Sequence, residues 1–91
     1  MTVPDGALRA LRDRIDDLDD RLLALLAERL DVVRALGDLK AAHGATGRDP
    51  AREAAILARL AAKQAMPDDV LTLIWTALFT ASGRVQARDG D

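Results

Sequence analysis

Two cations on one helical stripe are the residues of this chain best suited to chemistry. Leu8, Ile15, Leu22 and Leu36 fall at one heptad position, and Leu11, Leu18, Leu25, Val32 and Leu39 at the other. Arg29 occupies the slot between Leu22 and Leu36 where the repeat calls for another leucine. A guanidinium on a buried stripe is costly unless something anionic meets it. Lys40 follows eleven residues later, ~1100° around a helix, so it points within ~20° of Arg29 and lies ~16 Å further along the axis. No acidic residue shares the stripe between them. The pair predicts a pocket for a small anion.

Other polar residues could join it. Arg12 precedes Arg29 by seventeen residues, ~25 Å along the helix and rotated by ~100°, so both reach one small ligand only if Arg12 comes from a second protomer. Arg52 and Glu53 follow Asp49, which reads as the N-cap of a helix whose free N–H groups could bind a ligand oxygen. Ser82 and Gln86 are four residues apart and share a helix face as uncharged hydrogen-bonding groups. No cysteine is present, the one histidine is His43, and no serine has a histidine partner, so nucleophilic or histidine-based catalysis is not supported. Each residue also has a plainer reading. Arg29 could pair with an acid across a dimer, Arg12 could be solvated, Arg52 and Glu53 could decorate a first helical turn, and Ser82 and Gln86 could be surface residues.

The elements that must hold these groups are helices. The 91 residues are 49% hydrophobic but 2% aromatic, so a core must be built from Leu, Ala, Val and Ile. β-Branched residues never alternate with polar ones over a strand's length, and the fold class is all-α. Three helices are expected, over about 6–43, 50–63 and 67–87, in one domain spanning 1–91. The first opens near Asp5 as cap and is stopped by Gly44-Ala45-Thr46-Gly47; Asp49-Pro50 opens the second, and Met66-Pro67-Asp68-Asp69 the third. Val70, Leu71, Ile74, Leu78 and Phe79 form the apolar stripe of the third helix, Trp75 joins the core, and the tail from Arg88 to Asp91 is expected to fray. A first helix of ~57 Å is nearly twice the ~30 Å width of a compact domain this size, so its seam calls for a second copy. We expect an intertwined homodimeric helical bundle.

Composition excludes several function classes. The formal net charge of −2 provides no dominant basic stripe for nucleic acid. Without cysteines there is no disulfide framework and no thiolate metal site, and no metal or cofactor is expected. The segment Met1 to Gly6 lacks an apolar leader core, and no apolar run approaches the ~18 residues of a membrane span, so the expected location is the cytoplasm.

The run from Leu8 through Asp19, the segment Leu22 to Arg29, Gly37-Asp38-Leu39-Lys40, Arg48-Asp49-Pro50-Ala51-Arg52-Glu53, and Ser82 with Gln86 together resemble an all-α chorismate mutase of the AroQ class (type II). The resemblance covers nearly the whole chain, and the ordered set Arg12, Arg29, Lys40, Asp49, Arg52, Glu53, Ser82 and Gln86 is its specific part. It implies an isomerase of the shikimate pathway and aromatic amino acid biosynthesis, an intertwined homodimer with no cofactor that rearranges chorismate to prephenate. By resemblance, Arg29 and Arg12 of the partner subunit grip the two substrate carboxylates, with Arg52 and Ser82 nearby. Lys40 and Gln86 donate to the ether oxygen, and Glu53, with backbone N–H near Asp49, holds the ring hydroxyl. Lys40, Gln86, Arg29 and Glu53 are thus the expected catalytic residues.

The chain departs from the family pattern in its last third. The link between the second and third helices is short, Ala77 and Leu78 stand where paired isoleucines are usual, and Gly83 follows Ser82. No fused dehydratase, dehydrogenase or allosteric domain is expected after Gln86, and a larger shikimate-pathway enzyme as partner is left open. Alternatives are an enzyme of the same fold acting on isochorismate (a pyruvate lyase) or on 4-amino-4-deoxychorismate, and a non-catalytic helical dimerisation module.

Overall fold

The computed structural model describes residues 2–89, and within them the chain is all-α: α1 spans Asp5–Ala42, α2 Pro50–Ala61 and α3 Asp68–Asp89. Met1, Gly90 and Asp91 lie outside the described residues, and with the last two lies half of the tail expected to fray. Up to Asp89 the backbone is helical, two residues beyond the expected end at 87.

Each helix end has a local cause. The first intrahelical bond of α1 runs from Leu8 N–H to Pro4 carbonyl, so Asp5 sits inside the first turn rather than acting as the cap. Its carboxylate still complements the positive end of the helix. At the other end, Ala45 N–H bonds to Lys40 carbonyl and Gly44 N–H to Ala41 carbonyl. This is the Schellman pattern, and it requires Gly44 in the left-handed region, at φ +73°. Asp49 caps α2, its Oδ1 accepting from Arg52 N–H at 3.0 Å, with Pro50 at the first helical position. Ala62 then closes α2 two residues before Gln64, whose φ of 53° ends the helix short of the expected 63. Pro67 carbonyl accepts the first bond of α3 from Leu71 N–H.

The chain divides into two units, residues 1–31 and 32–91. In the first, residues 5–31 form one helical stretch whose seam is uncovered: Leu11, Ile15, Leu18, Leu22 and Leu25 are 53–62% exposed. Arg29 is half-buried and Arg12 exposed. The second unit holds the end of α1 together with α2 and α3, which pack on each other. Its buried core residues are Leu71 and Phe79, 5% and 6% exposed. Trp75 and Leu78 are half-buried beside them in sequence, but Val70 and Ile74, expected on the same stripe, are exposed. A helix that packs on one short neighbour buries a narrow face, and the rest of the stripe stays open. Val32, Leu36 and Leu39 continue the uncovered seam in this unit at 50–65% exposure.

Candidate active site

The second unit contains a cleft of about 320 Å³ whose walls come from the end of α1, the following loop and the last turns of α3. Gly37, Lys40 and Ala41 line it from α1, residues 45–48 from the loop, and Gly83, Gln86 and Ala87 from α3. Two of the residues singled out in the sequence, Lys40 and Gln86, therefore meet on one cavity although they lie at opposite ends of the unit.

Lys40 is held by the loop it precedes. Its Nζ donates to Gly47 carbonyl at 2.9 Å. Gly47 has φ +88°, a conformation that costs a side-chain-bearing residue ~1–2 kcal/mol, and this turns the chain toward Arg48 and the α2 cap. An ammonium carries three donors, so one bond to a neutral carbonyl leaves two for a ligand. Gln86 is placed by close packing. Its Nε2 reaches Val33 carbonyl at 3.4 Å, and a Cβ at position 37 would lie 3.1 Å from its Cγ. Gly37, a weak helix former, is thus what lets the amide lie against α1.

Glu53 does not line the cleft directly; it is joined to it through Arg48. The Arg48 guanidinium donates from Nε to Glu53 Oε2 at 2.9 Å and from its second Nη to Oε1 at 2.7 Å. This two-point bond holds the Glu53 carboxyl below its ordinary value, against opposing contributions from partial burial and from the Asp49 charge. The same pair raises Arg48. By residue type alone Arg48 does not stand out from the other arginines of the chain. The signal that could have found it is its place between a glycine and a capping aspartate, where a loop turns back over a helix start.

The remaining expected residues are not in the cleft wall. Asp49 and Arg52 are exposed, and Arg52 contributes its backbone N–H to the cap. Glu53, one residue on and ~100° around the helix, is the member of this pair that meets the loop, through Arg48. Ser82 is half-buried, and its hydroxyl donates to Leu78 carbonyl at 2.8 Å, one turn back along its own helix. Arg12 and Arg29 belong to the first unit. Among the described residues no cluster of acidic, histidine or cysteine side chains could hold a metal ion, and no helix is long and apolar enough to cross a membrane.

A model of the family described as chorismate mutase type II matches residues 11–87, which include the cleft and every expected site residue. The chain belongs to this family. Residues shared with curated relatives cover shorter stretches. The chain is 49% identical over 51 residues to a T-protein of Enterobacter agglomerans, covering 56% of this chain and 14% of that protein. It is 45% identical over 51 residues to a T-protein of Haemophilus influenzae, with the same coverage. A 3-dehydroquinate dehydratase of Pyrobaculum aerophilum is 42% identical over 59 residues, 65% of this chain and 20% of that protein. The matched stretch is thus a minor part of each of these longer relatives.

Proposed function

We propose that the chain catalyses the rearrangement of chorismate to prephenate, in aromatic amino acid biosynthesis, as an intertwined homodimer. The observation that carries this reading is the meeting of Lys40 and Gln86 on one cleft, an ammonium opposite an amide donor in a chain of the chorismate mutase family.

The chemistry asks little of a protein except placement and charge. Chorismate is a flexible dianion that must fold its enolpyruvyl arm over the ring, and holding both carboxylates supplies that geometry. As the C–O bond breaks, electron density moves onto the ether oxygen while the new C–C bond forms in the same step. A fixed ammonium and amide stabilise this charge more in the transition state than in the bound substrate. Lys40 and Gln86 take that role. Arg29 and Arg12 of the partner subunit hold the carboxylates, with Arg52 and Ser82 contributing at the margin. Glu53 accepts from the ring hydroxyl with the backbone near Asp49. A carboxylate offers about four acceptor positions, so the two bonds from Arg48 leave room for that hydroxyl.

The exposed seam supports the dimer. Eight apolar residues from Leu11 to Leu39 stand at heptad positions and are at least half exposed, an apolar stripe interrupted at Arg29 and of the kind that marks an interface. A second long helix packed along it would bury the seam and bring Arg12 of the partner subunit toward the cations of the first chain.

Loss of the ring-diene absorbance of chorismate, with prephenate identified as product, tests the activity. Isochorismate and 4-amino-4-deoxychorismate assayed in parallel separate the alternatives. Turnover of either one with chorismate inert would overturn the assignment.

A further inference from the structure

We propose that Arg48 is a substrate-binding residue of this cleft, aimed by its two-point clamp from Glu53 so that its remaining N–H groups meet a carboxylate of the ligand. The proposal rests on the mutase reading, which supplies a dianionic ligand, and it adds a cation that neither the sequence nor the family resemblance assigned.

The geometry separates the two members of the ion pair. Arg48 stands in the cleft wall; Glu53 stands outside it. Glu53 occupies the Nε and one Nη of the guanidinium, at 2.9 and 2.7 Å. A guanidinium has five N–H donors, so this clamp leaves three. The side chain is 49% exposed, and an ion pair this open contributes little to folding. What the clamp does is fix a long side chain in one orientation, which lowers the entropy lost when a ligand binds. The aliphatic stem runs beside α3: a Cβ at position 83 would lie 3.8 Å from Arg48 Cγ and Cδ, an ordinary packing distance.

The charges around the cleft agree. Lys40 from α1 and Arg48 from the loop are the charged residues in its wall, while Gly83, Gln86 and Ala87 from α3 do not titrate. Asp49 acts on Glu53 from the start of α2. Glu53 is bonded to Arg48 and is not part of the cleft wall, so the wall itself presents two cations and an amide. Such a wall favours an anion.

Calorimetry with a bicyclic dicarboxylate analogue of the transition state, together with kcat and KM for chorismate, tests the proposal on the full chain. Arg48→Met is expected to weaken analogue binding and raise KM about tenfold or more, the cost of a lost charged hydrogen bond, with helix content and Tm unchanged. Arg48→Lys keeps the charge without the fork and is expected to fall between wild type and Arg48→Met; it carries the test if Arg48→Met loses helical structure. Affinities for both variants within about twofold of wild type overturn the proposal. A wild-type protein that binds the analogue without turning over chorismate overturns the mutase reading alone, since the binding comparison still decides the role of Arg48. A wild-type protein that does not bind the analogue overturns both.

Discussion

The first unit of the chain and the second are built from similar residues but differ in what they complete alone. Residues 32–89 bury Leu71 and Phe79, cap their helices and enclose a cleft with Lys40, Arg48 and Gln86 in its wall. Residues 5–31 present a regular apolar stripe that nothing in the same unit covers. The difference teaches that heptad spacing specifies which face will be buried without specifying by what. Where a covering helix lies in the same unit, part of the pattern becomes a core; where none does, the stripe stays open, as the proposed dimer requires.

Four substitutions or conditions break or sharpen this contrast, taken from the largest expected effect. Lys40→Ala attacks the part that is already formed. Removing one preorganised donor to a developing charge typically lowers turnover ~10²–10³-fold, and steady-state kinetics should show this while sedimentation and circular dichroism remain as in wild type. Near-normal turnover would remove Lys40 from the mechanism. Leu22→Glu attacks the part left open. On an exposed monomeric helix it would change stability by within about 0.5 kcal/mol. In a dimer seam it places an unpaired charge against apolar side chains, and the dissociation constant should rise ~100-fold or more by analytical ultracentrifugation, with activity falling as the protein is diluted.

Gly37→Ala has a smaller and more selective effect. Helix propensity alone would gain up to ~1 kcal/mol, yet the new Cβ would lie 3.1 Å from Gln86 Cγ and push the amide aside. Turnover is expected to fall about tenfold with Tm unchanged or slightly raised, a combination that a purely structural glycine would not give. Smallest of all is the acid dependence of the Arg48–Glu53 pair. The folded-state value of Glu53 is lowered by the hydrogen bond from Arg48, so its stabilising contribution is present above the ordinary carboxylate value and is lost as pH falls through the folded value. Thermal melts below about pH 4.5 should show this as a minor decrease that is absent in Glu53→Gln.

The same contrast explains how much of the molecule could be read in advance. The helical class followed from composition, and the Asp49-Pro50 start of α2 and the glycine stop at Gly44 from local backbone chemistry, which does not depend on the rest of the fold. Lys40 and Gln86 were identifiable as chemical groups, and the structure brings them to one cleft. Arg48 does not stand out by residue type, because its place in the cleft wall depends on how the loop folds and on its bonds to Glu53 across the start of α2. The exposure of Val70 and Ile74 also escaped periodicity: an apolar stripe gives a direction, while the width of the buried face depends on the partner. Helix ends moved by one or two residues for the same kind of reason. Gln64 in the left-handed region closes α2 early, a conformation that its residue type does not announce.

Subunit complementation tests the central claim most directly, that the cations complete a site only when two chains share it. Arg12→Ala and Lys40→Ala proteins, each nearly inactive, would be unfolded together in denaturant and refolded as a mixture. If Arg12 of the partner subunit reaches each cleft, mixed dimers hold one intact site of two, and random pairing returns chorismate turnover to about a quarter of the wild-type value. A mixture no more active than the average of the two separate variants would contradict the account.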